Sequence, residues 1–328
     1  MRRRRCTSVT GLFDDVYILD FSARSTPSPR RETADALWLG HAAAAPRPRP
    51  QARYFRTRSA VADHLADALP PRLDAGRRVL LGVDFGLGYP AGFADAAGLP
   101  GAGPPWRRTW DFLADAVDDA PDNANNRFAV AAELNARLAA TESHDPARGA
   151  CPRFWACPPQ HTGPHLTARR PAWPPCDRPD HPDRPVRVAR RRRVERVVAS
   201  THELWKLYTA GSVGGQTLLG IAWLHRLLAR PGLAGRAAVW PFEPPGPHAL
   251  VVAEVYPRLN DDDPAAAHHA HPVRDAAQVL TLAATAAATA AGTRADRLAG
   301  PDGLPEADRT AVRSEEGWIF GVPAGAGG

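Results

Sequence analysis

Val79-Leu80-Leu81-Gly82-Val83-Asp84-Phe85-Gly86-Leu87-Gly88-Tyr89-Pro90 is the stretch on which the fold turns. Its unbroken apolar start reads as a strand buried on both faces. Gly86, Gly88 and Pro90 mark the loop that follows. Asp84 sits at the tip of that strand, where a carboxylate is costly unless something pairs with it. The pattern returns twice: residues 16–19 run into Asp20, and residues 250–253 run into Glu254. Three buried strands that each deliver an acid at one end dominate the sequence.

The 328 residues allow one large domain or two ordinary ones, and a 44% hydrophobic content with nine Trp and ten Phe supplies a core. The net charge of +6 invites a nucleic-acid partner, but Lys206 is the only lysine. Basic charge carried almost entirely by Arg, in a chain rich in Ala and Pro, is explained as well by coding bias. Cys6, Cys151, Cys157 and Cys176 form no CxxC pair and have no zinc-type His spacing, so a reduced, cytoplasmic setting is expected. Arg2 to Arg5 are not followed by an apolar stretch of signal-peptide length, and the Ala/Thr-rich run 276–291 is too short to span a bilayer. A soluble protein is expected.

In order, strands are expected at 14–20, 36–40 and 52–56. A helix follows, capped by Thr57 or Ser59, carrying Val61, Leu65 and Leu69 and stopped by Pro70-Pro71; the strand 79–84 comes next. Helices are expected at 106–117, at 123–138, from the Arg190 to Arg193 cluster through Val197, Leu204 and Leu207, and at 217–228. Residues 144–185, dense in Pro, Arg and His, read as an irregular insertion. Two strands, 237–242 and 250–255, are separated by a short Pro/Gly turn. A helix at 272–292 opens with Asp275, and a last short strand falls within 315–320. The expected organisation is a single domain over 12–323 with an insertion at about 91–235 (its irregular part 144–193) and flexible tails at 1–11 and 324–328.

Asp20, Asp84, Glu254 and Asp275 form the candidate constellation. Carboxylates gathered at neighbouring strand ends repel, so their pKa values rise or a divalent cation neutralises them. Oxygen ligands without attendant Cys or ordered His point to Mg²⁺ or Mn²⁺, and such ions serve phosphodiester hydrolysis. The plain alternative is that each acid caps a turn or pairs with an Arg.

The order of elements resembles the RNase H fold: three strands, a helix, a fourth strand, a helical region, a fifth strand and a closing helix. More narrowly, the chain is similar to the predicted nucleases of RNase H fold. The matching pieces are Ile18-Leu19-Asp20-Phe21-Ser22-Ala23, Gly82 to Pro90, Ala253-Glu254-Val255-Tyr256-Pro257, Asp275-Ala276-Ala277 and Glu316-Gly317-Trp318-Ile319. The resemblance implies an α/β fold with a mixed five-stranded sheet flanked by helices. It also implies metal ligands at Asp20, Asp84 and Asp275, with Glu254 as fourth ligand or orienting base. Glu243, after Trp240-Pro241-Phe242, rivals Glu254. The implied activity is metal-dependent cleavage of DNA or RNA; the alternative is a non-catalytic accessory or binding protein in cofactor or nucleotide metabolism.

Ser22, Gly214, Gln216, Lys206 and Arg274 are the candidate substrate contacts. The Gly-rich turn 211–216 before a helix could hold a phosphate on backbone N–H groups or simply turn the chain, since no Gly-Lys-Ser/Thr follows. The glycines after Asp84 also suggest a phosphotransferase loop. In that class such a loop follows the first strand, which here gives Asp20-Phe21-Ser22. His268, His269 and His271 look like a metal tract, and Arg190 to Arg193 fit a phosphate-backbone footprint or a solvated helix start.

Overall fold

The apolar runs become the middle of a mixed six-stranded sheet of order β3-β2-β1-β4-β6-β5. Its strands are β1 Asp15–Asp20, β2 Leu37–Ala43, β3 Gln51–Phe55, β4 Val79–Val83, β5 Ala237–Val239 and β6 Leu250–Glu254. The computed structural model describes residues 12–45, 47, 49–142, 152–170, 188–245, 250–260, 268–288 and 300–324. Strands β1, β2 and β3 pair antiparallel; β1 with β4, β4 with β6, and β5 with β6 pair parallel. This α/β arrangement resembles RNase H-like topology, with a sixth strand, β5, added at the edge beyond β6.

Eight α-helices flank the sheet among the described residues: α1 Arg58–Asp74, α2 Phe93–Ala96, α3 Pro105–Ala116, α4 Arg127–Glu142, α5 Arg193–Val197, α6 Gly214–Leu228, α7 Arg274–Ala288 and α8 Glu306–Ala311. Period-2 alternation sends Tyr17, Leu19, Leu81 and Val83 to a core shared with α1, α3, α4 and α6. Val16, Ile18, Leu80 and Val251 go to a second core under α7. Every residue of β4 is buried, as its apolar composition requires. Helix α7 lies so close over β2 that a Cβ on Gly40 would stand 2.5 Å from the Val279 carbonyl oxygen. No helix among the described residues is long and apolar enough to cross a membrane.

Several expectations are corrected. Pro70-Pro71 does not stop α1. Thr57 caps it as expected, accepting from the Ala60 N–H at 3.3 Å, and the helix runs on to Asp74 because Leu69 and Leu73 bury on either side of the Pro pair. The helix expected from 190 through Leu207 ends at Val197; beyond it the chain is irregular, and Leu207 donates its N–H to the Trp155 carbonyl at 2.9 Å. Residues 123–126 precede α4 in a turn where Asn123 is buried with a φ of 73°. Helix α6 starts at Gly214, so three residues of the Gly-rich turn are its first turn. Glu315 and Glu316 lie in a π-helical turn, Val312–Glu316; of the last expected strand only Ile319 bridges the sheet, at Glu254. Strands β5 and β6 run parallel, so they do not form a hairpin. Cys6, Cys151, Cys176, the end of the expected 272–292 helix and most of the 144–185 insertion lie outside the described residues.

Candidate functional site

Register decides which acids meet. Leu19 pairs with Val83 and Val83 with Glu254, so these three share one face of the sheet. Asp20 and Asp84, one residue further on, turn to the opposite face, where α7 presents Asp275 in its first turn. The Phe21 N–H donates to Asp84 Oδ1 at 2.8 Å and fixes that carboxylate beside the end of β1. Asp275 Oδ2 accepts from the Asp35 N–H at 2.7 Å, and Ser22 Oγ donates to the Asp35 carbonyl at 3.0 Å. Asp35 stands just before β2 with a φ of 54°, a left-handed conformation that Asp tolerates better than most residues.

The four Asp residues crowd one another electrostatically. Burial raises the Asp20 carboxyl well above its ordinary pKa, and the charges of Asp84, Asp275 and Asp35 push it the same way. Asp84 is raised to about 7, chiefly by burial, with Asp275 and Glu254 adding to the effect against the hydrogen bond from Phe21. Burial also raises Asp275, and the charge of Asp35 adds to it against the Asp35 N–H bond. None of the four is in an ion pair among the described residues. A hard divalent cation is the natural counter-charge for such a donor set. No three of the carboxylates stand at ligand spacing among the described residues. Mg²⁺ tolerates this, because it keeps several waters and is commonly held by one or two carboxylates. The donor chemistry is of the kind that suits Mg²⁺ or Mn²⁺, and Asp20 and Asp84 are the residues that could hold such an ion.

Glu254 is elsewhere. Arg192, 2% exposed, reaches both of its oxygens, Nη1 to Oε2 and Nη2 to Oε1, each at 2.7 Å. Arg192 also donates to Glu195 at 2.8 Å and to the Glu316 carbonyl at 3.0 Å. The structure thus places Glu254 in a buried fork with Arg192. Glu243 follows the edge strand β5, not the neighbour of β4, and pairs with Arg107 at 3.1 Å.

The loop 86–90 is wholly buried and turns the chain instead of lining a groove. A Cβ on Gly88 would collide with the Glu315 carbonyl oxygen. Glu315 in turn accepts from the N–H groups of Gly92 and Ala94 at 2.6 and 2.7 Å, and burial raises its carboxyl to about 7.

The expected substrate contacts scatter. Ser22 is buried and serves Asp35. The Gly214 N–H is spent on the Lys206 carbonyl at 2.9 Å, and Gln216 donates through Nε2 to the Phe21 carbonyl. Lys206 donates to the Ala210 carbonyl at 2.6 Å and lies 5.7 Å from the Trp155 ring. Arg274 is exposed beside Asp275 and its positive charge draws that carboxyl down. The Arg190 to Arg193 cluster is not a solvated footprint: Arg190 pairs with Glu203, Arg192 is the buried hub, and Arg193 pairs with Glu316 and Asp308, both at 2.6 Å. The His tract does not converge. His271 accepts from the Val273 N–H at 3.1 Å and packs on Trp38, and His269 donates its N–H to Thr281 at 3.1 Å. Among the described residues no His, Cys or acid group stands as a metal cage.

Sequence reasoning missed Asp35 and Arg58. Arg58, 1% exposed, donates to Asp119, to the carbonyls of Ser22 and Arg24 at 2.9 and 2.8 Å, and to that of Asn123 at 2.9 Å, which pins the loop after Asp20. No family model matches the chain, and no curated protein or solved structure matches it significantly.

Proposed function

We propose that the protein is a divalent-metal-dependent phosphodiesterase acting on nucleic acid, in the manner of the predicted nucleases of RNase H fold that its motifs resemble. The observation that carries this reading is a set of crowded carboxylates, without an ion pair among the described residues, at the ends of β1 and β4 and the start of α7. Bound Mg²⁺ or Mn²⁺ supplies positive charge that offsets these acids and polarises a phosphodiester. Asp20 and Asp84 hold that charge, with Asp84 oriented by the Phe21 N–H. Asp275, oriented by the Asp35 N–H, adds negative charge from α7. Glu254 acts at a distance, fixing Arg192 and through it the Glu316 carbonyl.

Purified protein with Mg²⁺ or Mn²⁺ is expected to cleave single- or double-stranded DNA or RNA, and Asp20→Asn or Asp84→Asn to abolish the cleavage. Equal cleavage by the wild type and both variants would remove the assignment. The accessory-protein reading is favoured by the absence, among the described residues, of three carboxylates at ligand spacing. Calorimetric titration with Mn²⁺ separates the two: heat of binding lost in Asp20→Asn supports the enzyme, and no binding supports the accessory role.

A further inference from the structure

Arg190, Arg191 and Lys206 line an open cavity of about 190 Å³, in the irregular chain on either side of α5, together with Glu203. Glu203 is already shared. It accepts from Arg190 Nε, from Arg170 Nη2 at 3.2 Å and from Trp155 Nε1 at 3.1 Å. Arg191 and Lys206 have no carboxylate partner among the described residues. Each gives one bond to a backbone carbonyl, Arg191 to Glu195 at 2.9 Å and Lys206 to Ala210 at 2.6 Å. A guanidinium carries five N–H donors and an ammonium three, so most of both heads is uncommitted.

The same cations converge on His202, which is exposed in the cavity wall. Partial burial, and then the charges of Arg258, Lys206 and Arg191, hold its pKa below the ordinary value against the pull of Glu203. Gly211, at a φ of 72°, puts no side chain in front of the ring, since a Cβ there would stand 3.3 Å from it. With His202 neutral the lining carries two more positive charges than negative. A phosphate group meets this in charge and in geometry, because the Arg fork and the Lys ammonium both bind its oxygens. The cavity is smaller than the roughly 300 Å³ at which pockets for drug-sized ligands begin, so it suits one phosphate and not a whole nucleotide.

We infer that Arg191, Lys206 and His202 form a phosphate-binding site, with Arg190 held at its edge by Glu203. The site needs no metal and does not rest on the nuclease reading. It is built on chain that packs near the acids: Leu204 lies 2.8 Å from where a Cβ on Gly86, two residues beyond Asp84, would stand. A nucleic-acid strand and a phosphorylated small molecule present the same group to it.

The test titrates inorganic phosphate at constant ionic strength into metal-free protein and follows the ring resonances of His202. They are expected to shift, and the His202 pKa to rise, because a bound anion offsets the cations around the ring. Arg191→Gln and Lys206→Gln are each expected to bind phosphate at least about tenfold more weakly. Unmoved His202 resonances in the wild type, equal shifts with acetate, or undiminished phosphate affinity in both variants would overturn the site. If neither variant folds, the wild-type resonances and the acetate control decide. A single-stranded oligonucleotide that moves the same resonances assigns the phosphate to a nucleic-acid strand; phosphate shifts without oligonucleotide shifts assign it to a small molecule, and both keep the site. Shifts without any metal-dependent cleavage keep the site and remove the nuclease reading; cleavage that requires Asp20, without shifts, does the reverse.

Discussion

Asp84→Asn should make the protein more stable above neutral pH, even though it removes the acid on which the proposed activity depends. The Asn Oδ1 still accepts the Phe21 N–H, so the loss is confined to charge. The Asp84 carboxyl is raised from 3.8 to about 7, chiefly by burial and then by Asp275 and Glu254. A raised carboxyl means that the folded state keeps a proton the unfolded chain releases. Stability therefore falls as pH climbs from about 4 to about 7, and the full penalty applies above that. Three units at 1.36 kcal/mol each give about 4 kcal/mol. Asp84 as a residue is only half-buried, which brings the expected gain to roughly 2–4 kcal/mol at pH 8. Urea unfolding of both proteins at pH 4 and pH 8 measures it, with near-equal midpoints at pH 4. Saturating Mn²⁺ should stabilise the wild type at pH 8 by about 3 kcal/mol at a hundredfold excess over Kd, and the variant far less. A wild-type profile that is flat between pH 4 and pH 8, or a variant less stable at pH 8, would refute the reasoning.

Glu254→Gln removes one of the two carboxylates around buried Arg192, leaving Glu195 to balance it, and should cost about 1–3 kcal/mol in urea unfolding. Whatever folds should still bind Mn²⁺, and a folded variant that has lost Mn²⁺ binding would move Glu254 into the site. Gly88→Ala drives a methyl into the Glu315 carbonyl and should cost about 3 kcal/mol or more, seen as a lowered thermal midpoint. Arg58→Lys cannot reproduce the two-pronged contact with Asp119 or the three carbonyl bonds. It should lose about 3 kcal/mol with an unchanged urea m-value.

The sequence exposed the sheet through local physics. Runs 16–19, 79–83 and 250–253 are too apolar for an edge, and they do form three adjacent central strands. Thr57 announced α1 because capping is local. The Pro pair misled because its cost is also local, whereas the burial of Leu69 and Leu73 that outweighs it is tertiary. Asp35 was invisible for the same reason. Nothing within a few residues of it says that its N–H meets a carboxylate 240 positions away. The Arg190 to Arg193 run looked like a charged surface because four consecutive Arg carry no pattern. Only the fold reveals that the third is buried between Glu195 and Glu254.

Glu254 is set apart from the Asp residues by strand register. The first residues of β4 and β6 pair, Val79 with Leu250. From that start five residues precede Asp84 and only four precede Glu254, so the two acids fall on opposite faces of the sheet. One face meets Arg192, and there the charge is neutralised during folding, inside the protein. The other face meets α7 and the Asp35 turn, which bring further carboxylates; among the described residues none of these acids is in an ion pair, and the one neighbouring cation that acts on them, exposed Arg274, draws down Asp275. Folding alone gives no reason to crowd Asp20, Asp84, Asp35 and Asp275 when an Arg could have been set among them, as it is one residue away. Retained repulsion of this kind is stable only when something outside the chain compensates it. That asymmetry between the two faces, more than any single acid, is the argument for a cation at the first and a structural role at the second.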